Sequence, residues 1–116
     1  MTGPLDGIRV LDLTAMISGP TATMILADQG AEVIKIERPG TGDHTRLVST
    51  RRAGMSASYL NNNRNKRSVA LDLKDPRGVA AALRLAEGAD VLVQNFRPGV
   101  AARMGLGEEE VRDVAP

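Results

Sequence analysis

The sequence predicts an α/β fold, an open and mostly parallel sheet with helices flanking it. Three observations carry that prediction. Short apolar runs recur at Arg9–Leu13, Val33–Ile36, Ser68–Leu73 and Asp90–Phe96, and their lengths suit strands. Helical patterns separate the first run from the second and the third from the fourth, the alternation expected of strand–helix–strand units. Two of the runs also end alike, in Glu37-Arg38-Pro39-Gly40 and Phe96-Arg97-Pro98-Gly99, so that a strand twice delivers an arginine to its carboxyl end. Ligands of open α/β sheets sit beyond the carboxyl ends of the strands, and a permanently charged, fork-shaped donor at that edge is placed for an anion such as phosphate.

Taken in order, Ile8 leads into the first strand at Arg9–Leu13, and Thr14 to Gly19 follow as a loop. Pro20 suits the first turn of a helix, where its missing N–H costs nothing. That helix runs through Ala22, Met24, Ile25, Leu26 and Ala27 and stops at Gly30. The strand through Val33, Ile34 and Ile36 comes next, parallel to the first through a right-handed crossover that leaves the helix start near the ligand edge. Thr41 to Asn65 has no sustained period and reads as loops, with a short ordered piece around Ser56 to Leu60. In Ser68–Leu73, Val69, Leu71 and Leu73 alternate with Ser68, Ala70 and Asp72, the pattern of a half-buried strand. Asp75 caps and Pro76 opens a second helix with Val79, Ala80, Leu83 and Ala86 on one face, ended by Gly88. Asp90–Phe96 reads as a strand covered on both faces. Val100–Met104 and Gly107–Val114 are two last helical pieces, the second acidic at its start as the helix dipole favours. The layout is Rossmann-like.

At 116 residues the chain suits one domain with a genuine core. No apolar run approaches the roughly 18 residues that a membrane span needs, and the amino terminus has no basic region followed by an apolar stretch. A cytoplasmic protein without membrane partners is expected, the more so because it has no cysteine. That absence also excludes a thiol nucleophile or thiolate metal site, and one histidine, His44, excludes a histidine-rich one, so no metal is expected. The net charge of +1 is unevenly spread. Residues 38–67 carry Arg38, Arg46, Arg51, Arg52, Arg64, Lys66 and Arg67 against Asp43 alone. With Tyr59 and Phe96 as the only aromatic residues, this basic segment lacks the stacking groups of a nucleic-acid binder, and a phosphorylated small molecule fits it better.

Hydrolytic chemistry finds little support. His44 stands beside Asp43 with no placed nucleophile, Asp12 is better suited to capping the loop after its strand, and Glu108-Glu109-Glu110 reads as a helix-start cluster. A dinucleotide site is the first rival, because Glu37 ends the second strand where a ribose-binding acid would sit. The loop from Thr14 to Pro20 holds only Gly19, however, and fails G-x-G-x-x-G.

The motifs PLDGIRVLDLT (4–14), SGP (18–20), LADQGAEVIKIERPGTGDHTR (26–46), NRNKRSVALDLKDPRG (63–78) and ADVLVQNFRPGVAARMGLG (89–107) together resemble the family III coenzyme A transferases, the CaiB/BaiF family. The resemblance implies an enzyme that moves coenzyme A (CoA) from an acyl-CoA donor to a carboxylate acceptor through acyl-aspartate intermediates, working as an interlinked homodimer. It implies that residues 1–116 are the amino-terminal, CoA-binding part of a longer chain whose nucleophilic aspartate lies beyond Pro116. Carried over by position, Arg38 would meet the CoA phosphates, and Leu71, Asp72, Leu73 and Lys74 would line the nucleotide part. Asn95, Phe96 and Arg97 would lie along the coenzyme, Arg103 would add a cation, and Ile17 and Ser18 would lie near the thioester. Members resembling formyl-CoA transferase carry a glutamine where this chain has Ile17, which can donate no hydrogen bond, so formyl or oxalyl specificity is not implied. Two alternatives accompany this reading: an acyl-CoA racemase of the same fold, like α-methylacyl-CoA racemase, and a non-catalytic nucleotide- or CoA-binding module.

Overall fold

The computed structural model describes residues 2–116. Its main sheet has four parallel strands in the order β5-β2-β1-β6, formed by β1 (Arg9–Asp12), β2 (Glu32–Glu37), β5 (Lys66–Ala70) and β6 (Val91–Val93). Between β1 and β2 runs α1 (Ser18–Asp28). Gly30 follows it at φ 104, a left-handed conformation that a side chain would strain and that turns the chain back into β2. Between β5 and β6 runs α3 (Pro76–Glu87), with Asp75 accepting from the Arg77 amide as its cap. Two short helices, α4 (Val100–Met104) and α5 (Glu108–Val114), complete the chain.

Each face of the sheet buries a different set of residues because β-strand side chains alternate. On one face Leu11, Leu13 and Ile36 pack with Ala82, Ala86 and Leu106, and this core extends to α5 through Val111 and Val114. On the other, Val10 and Val33 pack against Ala27 and Ala31 of the α1 side. The second face is apolar only toward the amino ends of the strands. Toward the carboxyl ends the same alternation delivers Asp12, Lys35 and Glu37, all buried.

The segment expected to be loops is more ordered than its composition suggested. It contains a 3₁₀ turn (His44–Leu47), a two-stranded antiparallel hairpin of β3 (Arg51–Arg52) and β4 (Met55–Ser56), and α2 (Ala57–Asn63). Ser56 caps α2 by accepting from the Tyr59 amide. Two strand boundaries also moved. β5 begins at Lys66 and ends at Ala70, because its register is set by pairing Lys66 with Val33 and Ala70 with Glu37. Leu71 and Leu73 therefore reach the core from a loop. β6 is confined to Val91–Val93 and is the sheet's edge, with Val91 exposed rather than covered on both faces. The Leu71–Lys74 loop is pressed onto α3, since a Cβ at Gly78 would collide with the Asp72 carbonyl oxygen.

Candidate functional site

A cleft of about 730 Å³ opens at the carboxyl edge of the sheet. Its walls come from the segments that follow the strands: Leu13–Met16 after β1, Arg38–His44 and Leu47 after β2, Leu71–Lys74 after β5, and Phe96 after β6, with Met104 of α4. This is where a ligand of an open α/β sheet is expected. Of the residues singled out in the sequence, Arg38, Leu71, Asp72, Leu73, Lys74 and Phe96 line it. Ile17, Ser18, Asn95, Arg97 and Arg103 do not. They are exposed, each within two residues of the lining groups Met16, Phe96 or Met104. Asn95 is engaged by its own protein, since its Nδ2 donates to the Ala15 carbonyl at 2.8 Å and its Oδ1 accepts from the Ala15 amide at 3.1 Å.

Beneath the cleft lies a layer of buried charge. Glu37 accepts two bonds from the Arg46 guanidinium at 2.7 and 2.8 Å, one from the Asp43 amide at 2.8 Å, one from Ser68 at 2.9 Å, and one from the Tyr59 hydroxyl. Burial opposes the charged form, but these donors outweigh it and bring the Glu37 pKa from an ordinary 4.5 down to about 2. Burial, and then the carboxylate it serves, push the Tyr59 phenol up. Arg46 also covers the Tyr59 ring, 3.7 Å from its centroid. With its lone pairs taken, Glu37 is unavailable to a ribose, which removes the feature that favoured a dinucleotide.

Two lysines complete the layer. Lys66, with a side chain 2% exposed, donates to Asp12 Oδ2, the Pro20 carbonyl and Asn63 Oδ1, each within 3.0 Å. Burial pulls its pKa down against the opposing pull of Asp12. Asp12 also accepts from the Thr14 amide and from the hydroxyls of Thr14 and Thr23, so it caps the loop as expected. Lys35, 1% exposed, pairs with Asp43 at 2.8 Å. Burial works against ionised Asp43, but Lys35 and the Thr45 amide hold its pKa below the usual value. His44 is exposed and makes no hydrogen bond to Asp43 among the described residues, so the adjacent pair is no catalytic dyad.

The basic segment is thereby largely neutralised: Arg46, Arg64, Lys66 and Arg67 pair with Glu37, Asp28, Asp12 and Glu32. Arg38 differs. It is exposed, lines the cleft, and forms no ion pair among the described residues. Also among those residues, no helix is long and apolar enough to cross a membrane.

The human succinyl-CoA:glutarate CoA-transferase is 50% identical over 114 residues, covering 97% of this chain and 26% of that protein. A formyl-CoA:oxalate CoA-transferase of Rhodopseudomonas palustris (strain HaA2) is 47% identical over 117 residues, covering 100% of this chain and 28% of its own. The crystal structure of a CAIB/BAIF family protein from Brucella suis superposes with a TM-score of 0.92 at 35% identity, over 100% of this chain and 32% of that one. The chain thus spans between a quarter and a third of the length of these relatives. The sequence model of CoA-transferase family III matches residues 5–116, and the chain belongs to that family.

Proposed function

We propose that the complete protein transfers coenzyme A from an acyl-CoA to a small carboxylic acid through acyl-aspartate intermediates, and that residues 1–116 supply its CoA-binding α/β part, the nucleophile lying elsewhere. The observation that carries this reading is Arg38, the one cation of β2's carboxyl end left without a partner among the described residues, facing an open cleft. Arginine suits phosphate because its planar fork makes paired, charge-assisted bonds. In this reading Arg38 meets the CoA phosphates, and Leu71, Asp72, Leu73 and Lys74 line the nucleotide. Asn95, Phe96, Arg97 and Arg103 border the coenzyme, and Ile17 and Ser18 stand near the thioester. The enzyme is further proposed to be a cytoplasmic homodimer.

Calorimetry on the full-length protein with CoA and dephospho-CoA tests it. Arg38→Ala is expected to weaken CoA binding by roughly tenfold or more, the value of a charge-assisted bond. Equal affinity in the variant and the parent would remove the reading's support.

A further inference from the structure

The two walls of the cleft are tied together beneath its floor. Lys35 Nζ donates to the Thr14 carbonyl at 2.8 Å on one side and pairs with Asp43 at 2.8 Å on the other. Asp43 Oδ1 in turn accepts from the Met16 amide at 3.3 Å and from the Thr45 amide and hydroxyl at 2.9 Å. Asn95 holds both polar atoms of the Ala15 backbone from a third direction. Three consecutive loop residues are thus held by side chains from outside their own loop. At the end of this run Met16 adopts φ 73, a left-handed conformation that strains a non-glycine residue and persists only where its surroundings over-determine it. The result is that Met16 lines the cleft and Ile17, 62% exposed, is presented beside it.

A buried ion pair is weak evidence for stability, because apolar residues of similar volume often do as well. What an apolar pair cannot do is bond a carbonyl and a carboxylate at once, and that is the arrangement here. The loop it holds is apolar at its tip, with Leu47 on the facing wall, whereas the exposed charges of the lining, Arg38, Asp72 and Lys74, come from the segments after β2 and β5. An apolar wall suits the uncharged part of a CoA ester rather than its phosphates.

We propose that Lys35, Asp43 and Asn95 are positioning residues that fix the Thr14–Ile17 loop against the thioester-bearing end of the bound CoA ester. The inference rests on the CoA-binding reading given above. It is tested in the full-length protein with Lys35→Met/Asp43→Asn, which removes both charges together and leaves an acceptor for the Met16 amide, and with Asn95→Ala at an exposed position. With succinyl-CoA and glutarate as the probe pair, kcat is expected to fall about 10- to 100-fold in each variant, the effect of a roughly 1 Å misplacement, while the affinity of Lys35→Met/Asp43→Asn for free CoA stays within about twofold. In parallel, hydrogen exchange of the Ala15 amide in Asn95→Ala, and of the Ala15 and Met16 amides in the double variant, is expected to speed up by about tenfold or more. Unchanged exchange, or unchanged kcat with faster exchange, overturns the proposal, as does a loss of free-CoA affinity in Lys35→Met/Asp43→Asn equal to its loss in kcat. Should the double variant fail to fold, kcat and Ala15 exchange in Asn95→Ala decide. A parent protein that binds no CoA defeats the underlying functional reading, an outcome separate from normal binding with unimpaired variants.

Discussion

Glu37 shows how much one side chain can organise when every lone pair is used. Its folded pKa of about 2 lies below the ordinary 4.5, so it contributes stability that is complete above pH 4.5 and disappears as the pH falls through its folded value. The midpoint of thermal unfolding of the full-length protein is therefore expected to drop between about pH 5 and pH 2. Glu37→Gln should lower the midpoint at pH 7 and flatten this acid limb; a variant with the same acid limb as the parent would contradict the assignment. Tyr59→Phe removes one donor from the carboxylate and leaves the ring under Arg46, at an expected cost of about 1.5–3 kcal/mol, the value of a hydrogen bond to a charged group. Nothing in EVIKIE announces this role. The sequence offered Glu37 only as a ribose-binding acid and gave Lys35 no role, yet both are buried, because α2 and the 3₁₀ turn fold over that face and bring the donors with them.

Among the elements, those set by local chemistry were legible and those set by pairing were not. Asp75-Pro76 at the start of α3 and Gly88 at its end act within a few residues of themselves, and the helix lies where they put it. The limits of β5 depend on a neighbour distant in sequence: its register against Val33–Glu37 draws Lys66 and Arg67 into the strand and leaves Leu71–Lys74 outside it. α2 overlaps the short ordered piece expected around Ser56 to Leu60 but runs on through the polar Asn61-Asn62-Asn63, whose last member accepts from Lys66 three residues later. The Leu71–Lys74 loop is a cleft wall only because it is held against α3 at Gly78, where no Cβ fits. Gly78→Ala is expected to destabilise the protein by about 1–3 kcal/mol, the usual cost of overpacking, and to weaken CoA binding through the displaced wall. Thermal unfolding and calorimetry on the same sample check both; a variant as stable as the parent would mean that the loop yields freely.

For the molecule as a whole, charge is the property the sequence described least well. Counting side chains made residues 38–67 a cationic face waiting for an anion, but partners from distant segments neutralise much of it: Asp12, Asp28 and Glu32 all lie earlier in the chain. What reaches the cleft from that segment is Arg38, so affinity for a phosphate should depend on position rather than on total charge. Arg64, engaged with Asp28 at 2.7 Å on the surface, provides the comparison. Arg64→Ala and Arg38→Ala change the net charge equally, and a long-range field would respond to both. Local contact predicts that CoA affinity of the full-length protein falls roughly tenfold or more in Arg38→Ala, remains within about twofold in Arg64→Ala, and that the salt dependence of binding weakens only in the former. Calorimetry at low and high ionic strength distinguishes the two cases. Equal losses in both variants would show that the basic segment acts as a field and that the ion pairs leave its charge available to the ligand.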